Sequence, residues 1–352
     1  MKIFKLLYKY VQTGVSFMLP MLIIGGVFQG IAGLISEKNS GFGLALVILQ
    51  ISNLAFSFAI PIAAAYTAFS VADRPALIPA FVVGYFACHI GTGFLGAIIG
   101  ALIIGLTIKL IRQIQILKEF KSIKTMLVLP LISTAAASAI LYFILRIPLE
   151  SLRNILILTL NGLDPILRFL LGAILSGIIA IDMGGKKGNM VAIFANASLA
   201  EGVPGPTSAK IIAAMVPPLI LVIANLLDPK VKKDQLEYKN IRSLLFTGVA
   251  CQITESVLPY AMQNPRKMIT SCIAGSALAG GLVMYWNVLS PAPHGGLFLL
   301  PIINYPGYFL LALLVGSCSG ALLLLFLRRF IKEKQPSDKK QELNDKDIWM
   351  NF

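Results

Sequence analysis

Six ionisable side chains lie inside or beside strongly apolar stretches of the sequence, and each is a candidate for chemistry. A charge inside a membrane is costly unless it is paired or solvated, so such a residue marks a possible functional site. The six are Asp73, Arg74, His89, Asp182, Glu255 and His294. Of these, His89 lies in a helical apolar run and is assigned no role beyond packing.

Glu255 lies in the segment QITESVLPYA, directly after Thr254. A carboxylate at this position can accept hydrogen bonds from two hydroxyl groups of a ligand at once, and such charge-assisted bonds are strong. The alternative is a structural ion pair with an arginine or lysine. We favour contact with a ligand, with Thr254 as a neighbouring contact.

His294 lies in the segment SPAPHGG, residues 290–296. A neutral imidazole donates from one ring nitrogen and accepts at the other, which suits recognition of a polyol. Prolines and glycines on both sides break the helix, and Gly295 allows a substrate to approach the backbone closely. The alternative is a histidine that is satisfied by its neighbours and only holds the loop.

A second break, DMGGKKGN, covers residues 182–189. Asp182 can contact a substrate or cap a helix end, and the sequence leaves both roles open. Asn189, at the end of the same break, is counted among the candidate substrate contacts. In the turn ADRP, Asp73 and Arg74 are expected to satisfy each other as an ion pair.

The composition places these residues in an integral membrane protein. Of 352 residues, 57% are hydrophobic and only 13% are charged, and the mean hydropathy is +0.82. The net charge of +14 comes from lysines and arginines in short loops and tails, as expected for cytoplasmic loops. We therefore exclude nucleic acid as a partner and expect both termini in the cytoplasm.

The apolar stretches predict an all-α polytopic fold with about ten transmembrane passages. We expect the second passage to be interrupted at Pro61, residues 147–165 to form an outer connector, and residues 331–352 to form a cytoplasmic tail. Two segments are too short or too broken to cross, and we interpret them as re-entrant hairpins near 243–263 and 290–303. Opposed broken segments in one half of a chain are typical of transporters.

Several sequence blocks together resemble one known family. They are TGVSFMLPMLIIGG (13–26), YTAFSVADRPALIPAFVVG (66–84), GTGFLGAIIG (91–100), DMGG (182–185), ITESVLPYA (253–261) and LSPAPHGGLFLLP (289–301). In this order they resemble the fructose-type enzyme IIC membrane component of the bacterial phosphoenolpyruvate-dependent sugar phosphotransferase system.

The resemblance implies a permease of the cytoplasmic membrane that binds a sugar outside and presents it to a phosphorylated IIB protein. The phosphoryl-transfer residue would then lie on IIB, which is expected with IIA as a separate protein. The resemblance further implies a homodimer with a scaffold half (1–165) and a transport half (166–330) that moves like an elevator. The family's glutamate and histidine fall on Glu255 and His294.

The chain also departs from the family pattern near the expected sugar site. Lys186, Lys187, Gly188 and Asn189 replace the usual Pro-Val-Asn-Lys, Ser256 replaces a glycine, and Gln252 precedes ITE. Mannose-type sugars, mannosyl-glycerate, other hexoses and polyols therefore stay open as ligands beside fructose.

Two other functions are compatible with the residues. One is a proton-coupled secondary transporter in which Glu255 or Asp182 carries the proton, and the other is a membrane sensor that binds sugar without moving it. The sequence contains no nucleotide-binding loop, hydrolase triad or metal-binding pattern, so no cofactor is expected.

Overall fold

The computed structural model describes residues 2–37, 42–114, 121–183, 185–227, 241–263 and 265–330. Every regular element within these residues is a helix. Within this part of the chain, eight helices are long and apolar enough to cross a membrane, which confirms the predicted all-α polytopic fold. The predicted tail, 331–352, lies outside the described residues.

The main helices are numbered here in chain order. They are α1 (Lys2–Glu37), α2 (Phe42–Ala72), α3 (Leu77–His89), α4 (Gly93–Gln113), α5 (Lys124–Gly162), α6 (Pro165–Asp182), α7 (Lys186–Ala200), α8 (Gly205–Leu227), α9 (Leu258–Gln263), α10 (Pro265–Tyr285) and α11 (Pro306–Phe330). Helices α3 and α7, with 13 and 15 residues, occupy two of the predicted short passages. The total of ten passages stays a prediction.

Helix α5 corrects the predicted connector at 147–165. The helix continues through Arg146–Gly162 and reaches 39 residues in all. Its apolar residues Leu149, Leu152 and Leu156 follow helical spacing, which the charges between them obscured. The predicted connector is therefore the C-terminal end of a long helix.

The predicted interruption at Pro61 is also wrong. Proline removes one backbone donor from a helix, yet α2 runs unbroken through Pro61. Helix α3 packs closely here, since a Cβ built on Gly84 would lie 2.9 Å from the Cα of Pro61. Packing of a neighbouring helix is what allows proline inside a membrane helix.

The ADRP turn has a different ion pair from the expected one. The carboxylate of Asp73 lies 3.6 Å from the guanidinium of Arg112, at the end of α4, and Asp73 has a positive φ of 60°. Arg74 is therefore not the partner seen in the described residues. The turn is held to α4 instead of closing on itself.

The buried side chains form two large clusters. One contains residues of all five helices from α1 to α5, together with Leu199 at the end of α7. The other joins α8, α10 and α11 with the two predicted hairpin segments. A smaller group, which includes Leu175 and Met284, lies between α6 and α10. Most of the first and second halves of the chain thus pack around different clusters, while the end of α7 joins the first.

Glycines allow close packing inside and between these halves. In GSCSG, a Cβ on Gly316 would lie 2.6 Å from the carbonyl oxygen of Gly275, so α10 and α11 nearly touch. In GGVFQG, the α-carbon of Gly26 faces Pro291 and Ala292 of the second half. Glycines thus bring α1 against the PAPHGG loop as well as α10 against α11.

Candidate functional site

The first broken segment, residues 241–263, contains the break at which Glu255 lies. A π-helical stretch, Leu244–Ala250, ends before three non-helical residues, and a short 3-10 helix, Thr254–Val257, follows. Gln252, in the break, has a positive φ of 62°. The main chain of Glu255 lies in the 3-10 helix, and its side chain lies outside the described part of the structure.

Thr254 fixes this segment to the central helix α8. Its hydroxyl donates to the carbonyl oxygen of Ala214 at 3.1 Å, and the residue is only 5% exposed. Ser256 donates to the carbonyl of Ile253 at 2.8 Å. Thr254 therefore has a structural partner, and its hydroxyl oxygen can still accept a hydrogen bond.

The second broken segment, residues 287–304, is closed at its base by one side chain. Asn304 accepts from the amide of Leu289 at 2.7 Å and donates to the carbonyl of Asn287 at 3.0 Å. Next to the base, the amide of Ser290 donates to the hydroxyl of Ser208 on α8 at 2.8 Å. The two ends lie side by side, so the segment returns on itself. That both segments are re-entrant in the membrane stays a prediction.

His294 lies at the tip of the second broken segment and is exposed. The next two residues, Gly295 and Gly296, have φ values of 142° and 56°, which favour glycine. A Cβ on Gly296 would overlap the carbonyl oxygen of Ala250 and lie 2.8 Å from that of Val249. The tip of the second segment therefore rests on the backbone of the first.

Gln252 joins the two broken segments directly. Its side-chain oxygen accepts hydrogen bonds from the amides of Gly295 at 3.0 Å and Gly296 at 3.2 Å. The residue is 5% exposed. The structure thus brings Thr254, the main chain of Glu255, His294 and Gly295 into one unit. Gln252 was noted in the sequence only as a departure from a family pattern.

Asp182 caps a helix. One carboxylate oxygen accepts from the amide of Lys187 at 2.6 Å and the other from the amide of Gly188 at 3.0 Å. A Cβ on Gly185 would lie 2.8 Å from this carboxylate, so the glycine leaves room for it. The sequence left open whether Asp182 contacts a substrate or caps a helix, and these hydrogen bonds are those of a helix cap. Asn189 lies in the first turns of α7, half-buried.

The cap gives a testable difference between the two roles. Asp182→Ala is expected to lower stability by about 1–2 kcal/mol, because two backbone donors lose their acceptor. Fructose affinity, by equilibrium dialysis, is expected to stay within about twofold if the carboxylate only caps. Thermal unfolding of the purified protein measures the first effect. Loss of affinity with unchanged stability would instead show substrate contact.

A buried lysine escaped the sequence analysis. Lys210 on α8 is 8% exposed, and its ammonium donates to the side-chain oxygen of Asn196 on α7 at 2.8 Å. Thr207 donates to the carbonyl of Ala195 at 2.8 Å, so two bonds tie α7 to α8. The signal was available, because a lysine inside a predicted span is a candidate by the same rule as the six residues above.

A second missed group is an ion pair between the two halves. Arg153 on α5 donates to a carboxylate oxygen of Glu201, just after α7, at 2.5 Å. The amide of Phe94, at the start of α4, donates to the other oxygen. The Glu201 side chain is 13% exposed. One carboxylate therefore connects α4, α5 and the end of α7.

A cavity of about 680 Å³ lies beside the second broken segment. Its walls include Gln29 and Gly33 of α1, Phe56 of α2 and the residues Pro301–Asn304. The volume is within the usual range for ligand pockets, about 300–1,000 Å³. Neither His294 nor Thr254 lines it, so this cavity is separate from the unit around Gln252.

Comparison with known proteins adds to this geometry. No protein-family model matches the chain. The PTS system fructose-specific EIIC component of Haloferax volcanii is 31% identical over 341 residues, which cover 89% of this chain and 90% of that protein. The chain belongs to this EIIC family. The assignment agrees with the predicted permease of a phosphotransferase system and not with the proton-coupled alternative.

Longer relatives of the family carry additional parts. The fructose-specific EIIB'BC component of Escherichia coli is 33% identical over 334 residues, and the EIIABC component of Bacillus subtilis is 31% identical over 337. The chain spans 58% and 53% of their lengths. The name of the Escherichia coli protein includes B-type components beside C, and that of the Bacillus subtilis protein includes both A and B components.

A solved structure supports the fold. The IIC transporter ChbC of the N,N'-diacetylchitobiose-specific phosphotransferase system matches with a TM-score of 0.57 at 16% identity. The match covers 92% of both chains. Nearly the whole EIIC-family chain therefore shares the fold of a IIC transporter.

Proposed function

We propose that the chain binds fructose or a related hexose outside the cytoplasmic membrane and delivers it to a phosphorylated IIB protein. The observation that carries the site assignment is the direct link between the two broken segments at Gln252. It holds the backbone at Glu255 close to the loop of His294. Glu255 accepts from sugar hydroxyls, and His294 donates or accepts beside it.

The remaining candidates have supporting roles in this proposal. Thr254 and Gly295 shape the site through their bonds to α8 and to Gln252. Asp182, at the end of α6, caps the start of α7, and this cap orders the backbone around Asn189. The chain supplies binding and access, while IIB performs the phosphoryl transfer.

The different clusters around which the two halves pack support an elevator motion. The cluster of α1 to α5 would form the scaffold half and the dimer contact, and the cluster around α8 would move with the sugar. Basic residues near the N-terminus, such as Lys5 and Lys9, favour cytoplasmic termini.

The test is phosphorylation of radiolabelled fructose by membrane vesicles supplied with phosphoenolpyruvate, the general phosphotransferase proteins and a fructose IIA–IIB pair. We expect Glu255→Gln and His294→Gln each to weaken apparent fructose affinity by about tenfold or more, since the first removes the charge of the acceptor and the second removes the ring nitrogens from their positions. The matched control is His89→Gln, because His89 is an exposed histidine of α3 that packs beside Tyr85.

Several results would contradict the proposal. Unchanged affinity in both variants would reject the site assignment. Uptake that needs no IIB and collapses when a protonophore is added would favour the proton-coupled transporter. If unlabelled mannose, mannitol or mannosyl-glycerate inhibited the phosphorylation of radiolabelled fructose more strongly than unlabelled fructose does, that compound would be the preferred ligand instead of fructose.

A further inference from the structure

We infer that Gln252 is a positioning residue for sugar binding, which locks the His294 loop to the Glu255 segment so that the two candidate contacts form one rigid unit. The inference rests on the proposed function. It deepens that function by assigning a role to Gln252, the residue that precedes the ITE sequence at 253–255. Gln252 acts through the two loops and not by touching the sugar.

The geometry of the bond supports this role. A single amide oxygen receives two backbone donors that are adjacent in sequence, Gly295 and Gly296. Both glycines have a positive φ, so their amides converge on one point. Gln252 itself has a positive φ, which turns its side chain out of the helical path and toward the other loop.

The surroundings make this bond hard to replace. Gln252 is 5% exposed, so water has little access to restore a hydrogen bond to the glycine amides. Loss of a buried acceptor leaves both donors unsatisfied, which is more costly than loss of an exposed bond. Close packing of Gly296 against the carbonyl oxygens of Val249 and Ala250 brings the loops together. The acceptor for the glycine amides, however, is the side-chain oxygen of Gln252.

Both loops are also bonded to α8. Thr254 reaches Ala214 and Ser208 receives Ser290, so each loop has one fixed end. Gln252 adds a direct bond between the two loops, next to His294. Without it, the segments would still pack together at Gly296, but the two glycine amides would lose the acceptor that fixes the spacing between them.

The first experiment measures the link itself. Gln252→Met keeps the length of the side chain and removes its acceptor. In hydrogen–deuterium exchange of the purified full-length protein, the peptide that contains Gly295 and Gly296 is expected to exchange about tenfold faster than in wild type. The control is Ser133→Ala, which removes a buried bond to the carbonyl of Leu129 within α5 and is expected to leave this peptide unchanged. Unchanged exchange in Gln252→Met would overturn the inference.

The second experiment measures the consequence for binding. Equilibrium dialysis with radiolabelled fructose is expected to show about tenfold weaker affinity for Gln252→Met. In the His294→Gln background the same substitution is expected to cost less than twofold, because residues that act as a unit are not additive. Equal losses in both backgrounds, or faster exchange with unchanged affinity, would reject the positioning role.

A second variant covers poor folding of the first. Gln252→Asn keeps a neutral amide in the buried position but withdraws its oxygen by one methylene from Gly295 and Gly296, so exchange and affinity are expected to change in the same direction as in Gln252→Met; wild-type values for both would contradict the inference. Wild-type protein that binds no fructose would contradict the proposed function instead. The exchange measurement would then still decide whether Gln252 holds the tip.

Discussion

Gly296→Ala is expected to reduce phosphoenolpyruvate-dependent fructose phosphorylation by about 100-fold or more while the protein still inserts into the membrane. The left-handed backbone at Gly296 costs a residue with a Cβ about 1–2 kcal/mol. The added carbon would also overlap the carbonyl oxygen of Ala250, which is backbone and cannot rotate away. The second broken segment would therefore be displaced from the first.

Two glycine controls separate these causes. Gly202 has a positive φ of 82° with nothing within 4 Å of a built Cβ, and Gly307 has open space without a positive φ. Gly202→Ala is expected to show only the backbone cost, and Gly307→Ala neither effect. Vesicle phosphorylation and the amount of protein in the membrane are the measurements. A Gly296→Ala protein as active as Gly202→Ala would show that the overlap is harmless.

Arg153→Met is expected to lower stability by about 3–5 kcal/mol, because it leaves the largely buried carboxylate of Glu201 without its cation. The double variant Arg153→Met/Glu201→Met is expected to recover most of this loss, since no unpaired charge is left. Thermal unfolding in detergent, followed by tryptophan fluorescence, measures both. The double variant shows whether the cost comes from the charge or from lost packing.

The matched control is the ion pair between Arg112 and Asp73. Their side chains are 40% and 79% exposed, and an exposed pair contributes at most about 1 kcal/mol. Arg112→Met is therefore expected to leave the unfolding temperature nearly unchanged. If Arg112→Met and Arg153→Met had equal effects, burial of Glu201 would not be the reason for its importance.

Local sequence patterns predicted the helical class and the positions of the breaks. Proline and glycine around His294 and the polar run at Thr254 interrupt apolar stretches, and both are broken in the structure. Such signals act within a few residues, so they can be read along one chain. The same local reading failed at Pro61, where packing from α3 maintains the helix.

Contacts between distant residues could not be predicted in this way. Gln252 and Gly295 are 43 positions apart, and no periodicity indicates that one amide oxygen meets two glycine amides. Asp182 shows an intermediate case, because the residue type allowed two roles and only the amides of Lys187 and Gly188 distinguish them. Lys210 was within reach of the sequence rule and was overlooked.

The length of α5 has a mechanical consequence. Its 39 residues correspond to about 58 Å at 1.5 Å per residue, almost twice the roughly 30 Å of a hydrocarbon core. The guanidinium of Arg146 lies 5.3 Å from the ring of Tyr142, a pair of the kind that anchors a helix at the lipid headgroups. A helix of this length must tilt or extend beyond the hydrocarbon core. Because α5 carries Arg153, a change in bilayer thickness that alters the tilt of α5 is expected to act on the contact between Arg153 and Glu201.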